Sequence, residues 1–181
     1  MTREDEIRRL HAQARSEVIW RSGRTPVRSA LYHLTRGRMD WRPRPMVGDL
    51  PTLTSPWQDT VSGRYFGWRC RQANLRGDMV FVVEYIVCPV CKIGWVDKPY
   101  TVEEYQRRGL AAVGLSALRA EHPGLTWHTG SGHLTDSRSF WNSVGDGVPG
   151  GYRPRDLCLH VSHNGGLLAS WERKAAGKSP G

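Results

Sequence analysis

The segment "EEYQRRGLAAVGLSALRAEHPG", Glu103 to Gly124, decides how this chain is read. Two arginines run into a single glycine, and small and apolar residues follow at once. The pattern predicts a helix over 109–120, stopped by Pro123 and Gly124. The first backbone N–H groups of such a helix have no partner within it and carry the positive end of its dipole. Glycine lets backbone approach a phosphate closely, and Ala111 and Ala112 leave room beside it. Arg107 and Arg108 add attraction at longer range. The amides from Arg107 to Ala112 are therefore the candidate cradle for a diphosphate. An ordinary surface helix with a basic start fits the same letters. The segment lacks the lysine and Ser/Thr of a Walker loop, and it has one glycine where a dinucleotide fingerprint has three, so ATP and NAD are poor candidates.

Upstream, "MVFVVEYIV" (79–87) is an apolar run with Glu84 as its only charge, which suits a buried central strand. "LRGD" (75–78) predicts a turn before it and 64–71 a strand before that. "CPVC" (88–91) predicts a hairpin turn into the next strand, 92–102. Downstream, 125–129 predicts a short strand. A short helix is predicted over 136–145, with Asp136 as N-cap, Phe140 and Val144 on one face and Gly145 at the stop. A final strand is expected at 156–162. Hairpins leading into a strand–helix–strand crossover give an α/β (α+β) fold with a mixed, mostly antiparallel sheet.

The N-terminal part is expected to be helical. Ile7, Leu10, Ala14 and Val18 recur at near-helical spacing over 3–20. Thr25-Pro26 opens a second, short helix with Val27, Ala30, Leu31 and Leu34 on one face. Residues 42–62 are rich in Pro, Gly, Ser and Thr and predict irregular structure with at most one short strand. The tail from Lys174 is expected to be disordered. The 181 residues are read as one domain: an Arg-rich helical part at 1–40, a core at 64–162 and a tail at 174–181.

Net charge is +9, carried by 22 Arg and 4 Lys, and the first 44 residues hold 11 of the arginines. An Arg-rich end can meet phosphates of nucleic acid or of a nucleotide cofactor, and equally well can be a solvated face. No apolar run approaches the roughly 20 residues needed to span a bilayer, and the N-terminus lacks a signal-peptide core. A cytoplasmic protein with no membrane partner is expected. Eight tryptophans are many for this length. Trp41, Trp57 and Trp68 could stack on a flat acceptor, although core anchoring explains them as well.

"YTVEEYQRRGLAAVGLSALRA" (100–120) resembles the coenzyme A loop of the GNAT acyltransferase superfamily. Gln106, Arg107, Arg108, Gly109, Leu110 and Ala111 match its Gln/Arg-x-x-Gly-x-Gly/Ala pattern. The likeness continues into "LTWHT" and "SRSFWNSVG", where Phe140 and Trp141 stand as an aromatic pair followed by Gly145. It implies an αβα sandwich in which two parallel strands splay apart around acetyl-CoA. It also implies that Tyr100, Thr101 and Val102 hold the pantetheine, that Gln106 to Ala112 hold the diphosphate, and that Ser137 and Phe140 lie beside them. The implied reaction is direct attack of a primary amine on the thioester. The acceptor could be a small molecule, a peptide or protein amine, or aminoacyl-tRNA held by the Arg-rich part. The oligomer is left as monomer or homodimer.

The family's usual acid is a tyrosine, and that position holds Trp141, whose indole N–H is no proton donor near neutral pH. Tyr152 is the first substitute, with Ser139 and Ser143 nearby. Glu84 is the candidate base, with Asp97, Glu103 and His128 behind it. The alternative is a non-catalytic module that binds CoA or RNA. Cys88 and Cys91 have the spacing of a zinc knuckle, and Cys70, Cys158, His160 and His163 could complete it. No second C-x-x-C exists, and Cys70 falls at the wrong end of its hairpin. Zinc is therefore not expected, and the cysteines are read as small apolar residues of a tight turn.

Overall fold

The computed structural model describes residues 2–20, 56–62 and 67–162, together with positions 27, 30, 31, 34 and 35. Most of the proposed second helix, the irregular segment from 42 to 55 and the tail lie outside the described residues. Within them, Val27, Ala30, Leu31 and Leu34 are helical, and their side chains are exposed rather than forming a buried face.

Helix α1 spans Arg3–Gln13 and opens on a capping box: the Asp5 amide donates to Thr2 Oγ at 3.3 Å, and Thr2 N donates back to Asp5 Oδ2 at 3.0 Å. Ile7, Leu10 and Ala14 are buried as the spacing predicts. The helix ends early, however. Ser16 N and Glu17 N both bond to Gln13 O, and Val18–Trp20 becomes strand β1. Two β-branched residues and a tryptophan suit a strand better than a fourth helical turn, and β1 pairs in parallel with β2 (Trp57–Val61).

The sheet then runs β3 (Arg69–Leu75), β4 (Asp78–Cys88), β5 (Ile93–Val96), β6 (Tyr100–Thr101) and β7 (Thr126–Thr129). Its order is β1-β2-β3-β4-β5-β7, with β6 on β4. Only β1–β2 and β5–β7 are parallel among the described pairs, so the sheet is mixed and mostly antiparallel. The predicted turn at 75–78 is present, with Arg76 and Gly77 both at positive φ. Helix α2 (Leu110–Glu121) crosses from β6 to β7, and helix α3 (Arg138–Gly145) follows a single 3-10 turn at Thr135–Ser137. That turn displaces the expected Asp136 cap.

The last expected strand is absent. Pairing with β7 is limited to a bridge between Thr129 and Pro154, and Leu159–Ser162 forms a short helix, α4. Pro154 offers no N–H to extend a ladder.

Helices cover both faces of the sheet. Phe81, Val83 and Tyr85 of β4 pack with α1, α2, Trp127 and Trp141. Ile86 and Cys88 face the other way, with Trp68, Ile93, Trp95 and Val161 of α4. Strand alternation thus divides β4 between two cores. A buried ionic cluster pins α2 to the sheet. Arg71 Nε donates to Asp59 Oδ2 at 3.0 Å, its Nη1 to Glu121 Oε1 at 2.8 Å, and Tyr85 Oη donates to Asp59 at 2.7 Å. Glu121 sits at the negative end of the α2 dipole, where a carboxylate is disfavoured; the Arg71 cation compensates.

Gly114 sets how closely α2 approaches β4. A Cβ there would stand 2.5 Å from Phe81 Cε1. Gly114→Ala gains about 1 kcal/mol of helix propensity but overpacks a filled core, which costs about 1–3 kcal/mol. The expected outcome is a net loss of stability, read as a lower urea midpoint and melting temperature. A rise in either would show that the helix has room to spare.

Candidate functional site

The site begins with a register shift on β4. In β5, Val96 lies opposite Tyr85; in β6, Tyr100 lies opposite Val82. Asp97, Lys98 and Pro99 therefore face only Val83 and Glu84, so the strand carries one extra residue, a bulge. Pro99 reinforces it by removing a donor. Asp97 N still reaches Glu84 O at 2.8 Å, and Val102 N reaches Val80 O at 3.0 Å.

The bulge separates two strands that were paired. β5 and β7 run in register from Ile93–Thr126 to Val96–Thr129, and Gly130 N makes a last contact with Val96 O at 3.4 Å. Past that point β6 pairs with β4, and its other edge has no strand against it among the described residues. Val102 N donates to Val80 O, so Thr101, one residue back and opposite Phe81, turns its N–H and C=O away from β4. Its carbonyl accepts Gln106 Nε2 at 3.0 Å, which ties the following loop to the strand. A small crevice, a cavity of about 10 Å3 partly open to solvent, lies between Lys98 on one side and Thr129, Ser131, Gly132, His133 and Leu134 on the other, with Ser137 and Trp141 at its wall.

The candidate cradle opens beside β6. Residues Gln106 to Gly109 are exposed, and Leu110 is buried. Arg107 (φ 57°) and Gly109 (φ 79°) are left-handed, and Gly109 caps α2 without a side-chain hydrogen bond to its first amides. Such geometry leaves the amides at the helix tip facing outward. Ala111 and Ala112 are half-buried behind them. Arg108 lies 4.0 Å from Glu4, and Arg3 pairs with Glu104 at 3.2 Å, so α1 flanks the loop. Sequence reading missed His11. Its ring edge would stand 3.3 Å from a Cβ at 109, and its buried Nε2 has no hydrogen-bond partner among the described residues. Only the chain's folding places α1 there, and nothing in the local sequence signals it.

The expected catalytic residues fall in different places. Glu84 is buried on the β4 face opposite α1 and α2, where Ser62 Oγ donates to its carboxylate. Trp141 is buried and stacks on His133, with ring centroids 5.0 Å apart. Phe140 meets Trp141 edge-on at 5.1 Å. Ser137 is at the crevice, its hydroxyl donating to Leu134 O at 2.9 Å. Tyr152 is fully buried, and its phenol oxygen accepts from Arg119 Nη1 at 2.7 Å. Burial raises that phenol above its ordinary pKa, with Arg119 opposing. Arg119 is ten residues along α2 from Gly109, roughly 15 Å at helical rise. Tyr100, the first residue of β6, is exposed. Of the lesser bases, Glu103 is exposed beside the loop, and His128 Nδ1 lies 3.1 Å from Arg153 O with its pKa lowered by burial.

Two crevice residues carried no sequence signal. Lys98 enters through the bulge. His133 Nε2 lies 2.9 Å from Tyr152 O. A carbonyl can only accept, so Nε2 carries the proton and Nδ1 keeps a lone pair in the neutral ring.

No family profile matches the chain, and no curated protein sequence matches it. Among solved structures, it is similar to the solution structure of YhhK from E. coli bound to coenzyme A, at 15% identity and a TM-score of 0.38, over 67% of this chain and 84% of that one. No helix among the described residues is long and apolar enough to cross a membrane.

Proposed function

We propose that this chain is a divergent member of the GNAT superfamily that transfers an acetyl or other acyl group from acetyl-CoA to a primary amine. The observation that carries the reading is the parting of the β5–β6 strand from β7 at the Asp97–Pro99 bulge, followed directly by an exposed loop and a helix tip capped only by the left-handed Gly109. In this reading the amides of Arg107 to Ala112 take the diphosphate, with Gln106 holding the loop to β6. The backbone of Tyr100, Thr101 and Val102 takes the pantetheine, and the outward-facing Thr101 N–H stabilises charge on the thioester oxygen.

Passing between the strands from the α2 side brings the acyl end toward the face that carries Glu84. The amine nitrogen bonds to the carbonyl carbon, and the C–S bond then breaks. Glu84, directly or through a water, takes the proton the amine loses. The departing thiolate, with an ordinary thiol pKa near about 8.5, needs little assistance. Trp141 donates no proton, and the Tyr152 phenol is held by Arg119, so the proposal gives Trp141, Phe140 and Ser137 the wall of the crevice and Tyr152 its support.

The acceptor class stays as the sequence suggests: a small amine, a peptide or protein amine, or aminoacyl-tRNA. The Arg-rich part that motivates the last lies largely outside the described residues, and a gel shift with tRNA at low salt tests it; no shift removes it. The buried Trp141 at the position of the usual acid favours the second reading, a CoA- or RNA-binding module without turnover. Acetyl-CoA binding with no transfer across a broad amine panel would support it.

Two variants test the assignment. Gly109→Glu puts a carboxylate at the proposed phosphate position in a left-handed residue against His11; calorimetric affinity for acetyl-CoA is expected to fall at least about tenfold. A folded variant that binds as the parent does would show that the loop is not the cradle. Glu84→Gln is expected to lower kcat by about 10²–10⁴-fold while leaving acetyl-CoA affinity unchanged. Unchanged turnover removes Glu84 as the base.

A further inference from the structure

On the face of the sheet away from α1 and α2, four ligand-type side chains come together. Cys88 Sγ, Cys91 Sγ, Cys158 Sγ and one ring nitrogen of His160 all lie within 4.8 Å of one another. Cys88 ends β4 and Cys91 closes the turn before β5; Cys158 immediately precedes α4, and His160 is within it. All four cysteines of the chain are free thiols, and Cys70, on β3, stands outside the group.

We propose that Cys88, Cys91, Cys158 and His160 form a structural zinc site. The donor set is three thiolates and one imidazole, a standard closed set for zinc. Zinc bonded at about 2.3 Å to sulfur and about 2.0 Å to nitrogen sets tetrahedral ligand atoms roughly 3.5–3.8 Å apart. Cys91 Sγ and His160 Nδ1 are 3.2 Å apart, so admitting the ion asks this edge to open by only a few tenths of an ångström.

The turn is shaped for such an ion. Cys91 N donates to Cys88 Sγ at 3.4 Å, a bond that favours the thiolate over the thiol. Lys92, the residue after the second cysteine, is held at φ 56°, a left-handed conformation that a lysine adopts only at a cost. Left-handed residues are common in hairpin turns, Arg76 between β3 and β4 among them, and here the turn leaves Cys88 and Cys91 together at the closed end of the hairpin. The apolar side chains of Trp68, Ile86, Ile93, Trp95 and Val161 pack alongside and keep water from the inner ligands.

The sequence set zinc aside for want of a second C-x-x-C, and it placed Cys158 and His160 in an expected strand at 156–162. The chain instead leaves the sheet at Pro154 and turns into α4, and this brings Cys158 and His160 onto the hairpin turn. A metal there would tie the closed end of the β4–β5 hairpin to the segment after β7. That segment already touches β5 through Trp95 Nε1 donating to Arg155 O at 3.1 Å. Zinc would therefore hold together the base of the strand pair whose other end parts. Binding converts three thiols to thiolates and releases their protons, so occupancy falls in acid.

The test needs neither acetyl-CoA nor an acceptor, so its outcome is independent of the proposed activity. The full chain is purified without a metal-affinity step, gel-filtered, and analysed for metals by plasma mass spectrometry. One zinc per chain is expected, retained in Cys70→Ser and lost in Cys91→Ser and in His160→Ala. Should those variants fail to fold, the parent chain supplies the second measurement. After chelation it is titrated with cobalt, and the sulfur-to-cobalt charge-transfer bands of a tetrahedral thiolate site should saturate at one equivalent. Metal-free protein that gives no such spectrum overturns the proposal. So does a disulfide between any two of Cys88, Cys91 and Cys158, or equal alkylation of all four cysteines in the untreated protein.

Discussion

One extra residue in the strand after the cysteine turn governs the site. Without the bulge at Asp97–Pro99, the chain from Ile93 to Thr101 would continue alongside β7, and Thr101 would spend its backbone groups on a ladder. With it, β6 stays on β4 while β7 ends at Thr129, and the edge of β6 away from β4 has no strand against it among the described residues. The same shift carries Lys98 into the gap and leads the chain into the turn that starts α2. Bulges re-aim strands because a period-two structure cannot absorb an odd residue without turning one side chain and one amide the wrong way.

A crevice is useful only if its walls hold still. The base of the strand pair is closed by main-chain bonds and, under the zinc proposal, by a metal. α2 is anchored at its far end, where Arg71 bridges Asp59 and Glu121 inside the protein. Removing one partner from such a buried pair typically costs about 3–5 kcal/mol. Gly114 lets the middle of the helix lie against Phe81. The N-terminal end, by contrast, follows an exposed loop, and its first amides have no side-chain cap among the described residues. The helix is thus fixed where it packs and open where the proposed ligand binds.

Much of this was legible in the sequence because the governing signals are local. The apolar run with a single Glu gave β4, Arg76-Gly77 marked a tight hairpin, and the glycine before LAAVGL marked the start of α2 at Leu110. What could not be read depended on distant partners. Val18 fits a helical stripe as well as a strand, and only pairing with Trp57 decides it. The bulge leaves no trace in the letters beyond Pro99, because register is a property of two strands. His11 and His133 are single histidines whose neighbours come from elsewhere in the chain. Cys158 and His160 alternate like strand residues, and their place beside Cys91 depends on where the chain leaves β7.

The most direct test of the account is where coenzyme A perturbs the backbone. In a nitrogen-15 correlation spectrum of the full chain titrated with CoA, the largest shifts are expected at the amides of Thr101, Gln106 to Ala112 and Ser131 to Ser137. Absence of any shift, or shifts confined to β1, β2 and their neighbours, would contradict the crevice as the site of an acyl carrier.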